Sequence, residues 1–227
     1  MSAKNLIRWA GLAAVVAGTC FVVVELLRPP VVLASVTTTR WAGVHGLALA
    51  MSLTGLLGVA GIYARQAEKA GWLGLAGYLL LSLWLALSLP FNVIEGFVLS
   101  LLATEAPALA EGFLGMFTRS ADAMNFGVLS SLWALSDILF VLGSLVFGIA
   151  TLRAGVLSRW AAGTFTIGIG LAPAYELLPT ALQPLVAVPI GLGLAWLGYA
   201  LWSERRAPAA ETAPGRASAQ LRQAGAK

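Results

Sequence analysis

Six nearly continuous apolar stretches, at about 8–27, 43–63, 71–92, 127–150, 158–177 and 182–202, dominate the chain. Each is close to the roughly 20 residues a helix needs to cross the hydrocarbon core of a bilayer. Two of the interruptions are short and basic, carrying Arg65 and Lys69 in one and Arg153 in the other. The segment 92–126 breaks the pattern differently. Phe91 to Ala103 stays apolar beyond Pro90, Thr104-Glu105-Ala106-Pro107 stops the run, and Leu109, Phe113, Leu114, Met116 and Phe117 then recur among Glu111 and Arg119. That mixture predicts a short amphipathic helix, lying on the membrane surface or as a lid over the bundle.

Composition turns six apolar stretches into six membrane spans. Hydrophobic residues make up 59% of the 227 positions and charged residues only 11%, with a mean hydropathy of +0.87. Too few polar residues are present to cover the outside of a water-soluble domain. The expected fold is all-α: a polytopic six-transmembrane-helix bundle over 1–202, followed by a disordered, basic tail at 203–227.

Charge sets the orientation. With the N-terminus inside, eleven of the 14 Lys and Arg residues fall on the cytoplasmic side, and only Arg28, Arg40 and Arg119 fall outside. That bias predicts that both termini are cytoplasmic, in a multi-pass protein of a bacterial inner (plasma) membrane whose chief partner is the lipid bilayer. A rival reading makes residues 1–34 a signal peptide cleaved after Val32-Leu33-Ala34. The stretch is long for a signal core and carries Glu25, Arg28 and two prolines before the site, so a retained first span is expected.

Glycine and the weaker patterns bear on packing. Gly55-Gly58-Gly61 and Gly71-Gly74-Gly77 flank one connection at intervals of three and predict a tight hairpin of spans two and three. Gly191, Gly193 and Gly198 suggest close packing of the last span; no strand precedes them, so they do not form a dinucleotide fingerprint. A weak repeat at an offset of 88 residues aligns Gly55, Arg65 and Trp72 with Gly143, Arg153 and Trp160.

Candidate chemistry rests on carboxylates within the apolar stretches. Glu25, Glu95 and Glu176 lie toward the outer span ends, and Asp137 sits about ten residues, roughly 15 Å, from either end of its span. Carboxylates at such depth are expensive in lipid and usually pair or face a bundle interior. Helical spacing aligns Ser130, Trp133, Asp137 and Ser144 on one stripe, Trp84, Ser88, Asn92 and Glu95 on another, and His45 with Ser52 and Gly55 on a third. Pro173 beside Tyr175 and Glu176 predicts a kink in span five that frees backbone carbonyls. The expectation is an outward-facing acidic and aromatic cavity with Asp137 near its floor. Its binding residues would be Asp137, Glu95, Glu176, Glu25, His45, Trp84, Trp133, Asn92 and Tyr175.

Several chemistries recede. The single Cys20 allows no intrachain disulfide, and the single histidine supplies no multi-imidazole metal site, so no metal is expected. All three lysines lie outside the spans, which excludes a retinal Schiff base. No phosphate loop or nucleophile elbow occurs, so no cofactor is expected, and no aromatic-basic stripe suits nucleic acid. Three readings stay open: binding or transport of a small cationic or lipophilic ligand, a membrane-embedded acid–base enzyme such as an isomerase or cyclase, and an accessory subunit. Catalytic residues and oligomeric state are not legible.

Overall fold

The computed structural model describes residues 3–120, 124–179 and 182–204, and among them every regular element is a helix. The α-helices are α1 (Ala3–Leu27), α2 (Leu33–Val36), α3 (Thr39–Val93), α4 (Leu99–Glu105), α5 (Pro107–Thr118), α6 (Val128–Ala154), α7 (Arg159–Leu171) and α8 (Ala187–Ser203). Four described stretches, Asn5–Leu27, Thr39–Glu105, Val128–Ala154 and Gln183–Ser203, are long and apolar enough to cross a membrane. Leu57, Leu83, Ile138, Ile167 and Leu192 stand exposed on their flanks, which suits lipid rather than water as the surrounding medium.

Helix α3 is two antiparallel limbs. At Gly71 the backbone takes φ +56° and ψ −151°, a region nearly closed to residues with a Cβ. The limbs then run back along each other. Tyr63 stacks on Tyr78 with centroids 4.8 Å apart, Leu85 packs beside Gly55, and the Trp41 indole donates to the Glu95 carbonyl at 2.5 Å. No atom lies within 4 Å of a Cβ built on Gly71, so Gly71→Ala meets backbone strain alone. It should lower stability by about 1–3 kcal/mol, read as a lower thermal midpoint in detergent.

Close contacts at small residues close the six long segments into a ring. Gly11 and Gly18 of α1 lie against Gly198 and Gly191 of α8, while Ala10 and Ala14 meet Gly61 and Gly58 on the first limb of α3. The second limb meets α6 through Gly77 against Phe147 and Gly143 against Leu81. Gly148 of α6 meets Thr166 of α7, and α7 meets α8 through Gly168 against Ile190 and Phe165 against Gly193. Small residues permit this backbone approach, and packing rather than hydrophobicity holds helices together in lipid. The expected hairpin is present as the two limbs of α3, and Gly55, facing Leu85, and Gly74, facing Tyr63, serve it, but other glycines serve other seams. Gly58 and Gly61 receive α1, Gly77 receives α6, and Gly71 makes the turn.

The two ends of the ring differ. At one end, Arg8 Nε donates to Trp202 O at 2.9 Å and Arg65 pairs with Glu204 at 2.7 Å, bringing the start of α1, the end of α8 and the α3 turn together. Trp72 and Trp160, the repeat positions, both stand exposed just after the two connections at this end. At the other end, α2, α4 and α5 form a cap around Val36, Trp41, Leu99, Ala110 and Leu114.

Two expectations need correction. The third span does not end near residue 92: it continues through a π-helical turn, Ile94–Val98, into α4. The fifth span is α-helical only to Leu171 and tightens to a 3₁₀ segment at Ala172–Leu177, around Pro173. Helix α8 runs to Ser203, and the expected tail beyond residue 204 lies outside the described residues.

Candidate functional site

A cavity of about 590 Å³ opens at the capped end, opposite the described chain ends. Helices α1, α3, α6 and α8 and the 3₁₀ segment that follows α7 contribute to its wall. The C-terminal turns of α1 supply Glu25, the second limb of α3 supplies Trp84 and Asn92, and the π turn supplies Glu95. Helix α6 brings Trp133 and Asp137, and the 3₁₀ segment brings Tyr175. Seven of the nine expected binding residues therefore share one space. His45 stands behind the wall against Glu95. Glu176 belongs to the same 3₁₀ segment, but its side chain lies outside the described residues.

The depths are not those expected. Glu95 is the buried acid, 7% exposed, whereas the Asp137 side chain keeps 51% of its surface open. The cause is local helix geometry. A π turn inserts extra backbone into a helix, and here it sets Glu95 and Gly96 against His45, where a Cβ on Gly96 would stand 2.7 Å from the histidine Cβ. Asp137 lines the cavity from its rim instead of its floor.

Two arginines complete the site. Arg28 makes a two-pronged pair with Glu25, at 2.5 and 3.2 Å. Arg119 ends α5 in the left-handed conformation, φ +55°, and its guanidinium pairs with Asp137. Desolvation at the cavity wall acts to lower the Arg28 guanidinium, but the charges of Glu25, Glu95 and Tyr175 and the hydrogen bond to Glu25 hold it above its ordinary range. Neither arginine is among the expected binding residues. The i, i+3 spacing of Glu25 and Arg28 was the available signal for the first; nothing local marks the second. With both ionised, the described lining carries three carboxylates against two guanidiniums, a weaker cation-attracting field than the carboxylates alone would give.

Aromatic rings close the lower part. Phe140 sits 4.6 Å from Trp84 and 6.0 Å from Phe21, centroid to centroid. Beneath them lies a void of about 30 Å³ bounded by Leu81, Leu85 and Phe165, where the fully buried Ser144 hydroxyl has no partner. Above, Phe117 of the cap packs edge-on against Phe91 and Trp133. Phe21, Trp84 and Phe140 thus stand between the cavity and the void below, while Asp137 and Arg119 stand more than half exposed beside the cap. Among the described residues, no group of three or more His, Cys, Asp or Glu is arranged to hold a metal ion. No protein-family model, curated protein or solved structure matches the chain.

Proposed function

We propose that the protein crosses the membrane six times with both termini cytoplasmic, in a bacterial plasma membrane, and that its outward cavity binds a small amphipathic cation for transport. The antiparallel limbs of α3 and the length of α7 with its 3₁₀ extension support the span count. The lysine and arginine distribution supports the orientation. One observation carries the ligand class: carboxylates from three elements share a 590 Å³ space with the rings of Trp84, Trp133 and Phe140. Carboxylates draw a cation electrostatically, and ring faces hold it while accepting its apolar body. Closure beneath Phe21, Trp84 and Phe140 supports access from one side at a time.

Tetraphenylphosphonium, a compact lipophilic cation, is the suitable probe. Saturable quenching of tryptophan fluorescence is expected in purified protein, and Trp84→Leu should weaken binding about threefold, the contribution of one exposed cation–π contact. Absence of saturable binding removes this reading. The His45–Glu95 contact favours a second one, an acid–base enzyme acting on a lipophilic substrate, because a proton donor and a carboxylate then adjoin an apolar space. Lipid extracts incubated with and without the protein separate the two, since transport leaves its substrate chemically unchanged.

A further inference from the structure

We propose that His45 and Glu95 hold one proton between them behind the cavity wall, and that a cation entering beside Glu95 displaces it. The displacement rests on the cation-binding reading above; the proton site does not. Geometry fixes the hydrogens. His45 is 2% exposed, and its Nδ1 lies 2.8 Å from the Trp41 carbonyl oxygen. A carbonyl oxygen only accepts, so Nδ1 carries a hydrogen and donates it. In the neutral ring Nε2 is then a bare lone pair, and it faces Glu95 Oε2 at 3.5 Å. Lone pair against ionised carboxylate is repulsive in a desolvated site. A proton therefore belongs on Nε2 or on Oε2, and in either form the pair is neutral overall.

The surroundings hold the ring in place. Trp41 packs its indole on the imidazole, centroids 4.5 Å apart, and donates through Nε1 to the Glu95 carbonyl, tying the two limbs together at this level. The neighbouring charges have nearer partners, although the Arg28 guanidinium also feels the charge of Glu95. On α1, Glu25 pairs with Arg28; on the opposite wall, Asp137 pairs with Arg119; and Arg40 donates to the Leu27 carbonyl. Tyr175 faces the same space from the 3₁₀ segment. The cap presents Leu99 and Leu114 around Trp41, while Glu105 and Glu111 stand exposed on α4 and α5. Among the described residues, Glu95 is the cavity carboxylate whose ion-pair partner is a titratable histidine instead of an arginine.

That difference sets the exchange. A cation beside Glu95 stabilises the carboxylate and repels an imidazolium. The N–H bond at Nε2, or the O–H bond at Oε2, then breaks, and the proton passes to water in the cavity. The pair falls from neutral to one negative charge, which the cation balances. Binding and proton release are in this way one event, as exchange of a cation for a proton requires.

His45 is the chain's one histidine, so protein labelled with ¹⁵N-histidine gives a single imidazole to follow. In lipid nanodiscs its ¹⁵N shifts should show hydrogen on Nδ1; a ring carrying hydrogen only on Nε2 overturns the proton site. Adding tetraphenylphosphonium to weakly buffered protein should release close to one proton per bound cation, and Glu95→Gln, which also loses a cavity carboxylate, should bind more weakly and release none. His45→Asn serves the same purpose if Glu95→Gln does not fold. Binding by the unaltered protein without proton release overturns the exchange. No binding at all removes the functional reading and the exchange together, while the Nδ1 signal still decides the proton site.

Discussion

Gly18→Leu should prevent α1 from seating in the ring and leave little folded protein. A Cβ on Gly18 would lie 2.6 Å from Ala195 N and 3.1 Å from its Cα, so the obstacle is the backbone of α8 and no side chain can rotate away. The partner side of the seam is just as tight, since a Cβ on Gly191 meets the Gly18 carbonyl. Overpacking a well-packed site costs about 1–3 kcal/mol even when side chains can adjust; against fixed backbone, about 3 kcal/mol or more is expected. That would consume much of a typical domain's stability. Size-exclusion chromatography and thermal unfolding in detergent read the outcome. Gly163→Leu is the control: nothing lies within 4 Å of its Cβ position, and a shift within about 0.5 kcal/mol is expected there. Equal midpoints for the two variants would show that α1 and α8 do not meet at Gly18 and Gly191.

The same seams explain what the sequence could and could not disclose. Apolar stretches mark where helices lie because lipid selects for length and hydropathy, and α1, α6 and α8 lie near the expected positions, while both limbs of α3 run past their expected ends. Neighbour relations are a different matter. Every helix here is apolar on most of its surface, so the residue pattern does not say which faces meet. Gly58 and Gly61 announced a close contact, yet the partner is Ala14 and Ala10 of α1 and not the adjacent limb.

The candidate site was legible to the same degree. The stripe Trp84, Ser88, Asn92 and Glu95 does line one cavity with Asp137 and Trp133, because helical periodicity carries a face reliably over three turns. The π turn at Ile94–Val98 was not legible. It buries Glu95 against His45, while Asp137, expected to be the deepest acid, stays at the rim. Arg119 reaches Asp137 because α5 folds back over the bundle and ends in a left-handed residue, a tertiary relation with no local signature.

Arg119 and Asp137 provide the sharpest test of the cavity's electrostatics, because changing them should move cation binding in opposite directions. Asp137→Asn leaves Arg119 unpaired in the lining and removes one negative charge, so tetraphenylphosphonium should bind more weakly. Arg119→Ala leaves three carboxylates against one guanidinium, and the same probe should bind more tightly. Both side chains are more than half open, 51% and 59%, so solvent screens much of the interaction. At the few ångströms available in the cavity, about 1–2 kcal/mol remains for each step, or roughly tenfold in Kd either way. Raising the salt concentration should shrink both changes. A pair that only braced the cap against α6 would behave differently. Its loss would weaken binding in both variants, lower the unfolding midpoint by similar amounts, and leave the salt dependence untouched.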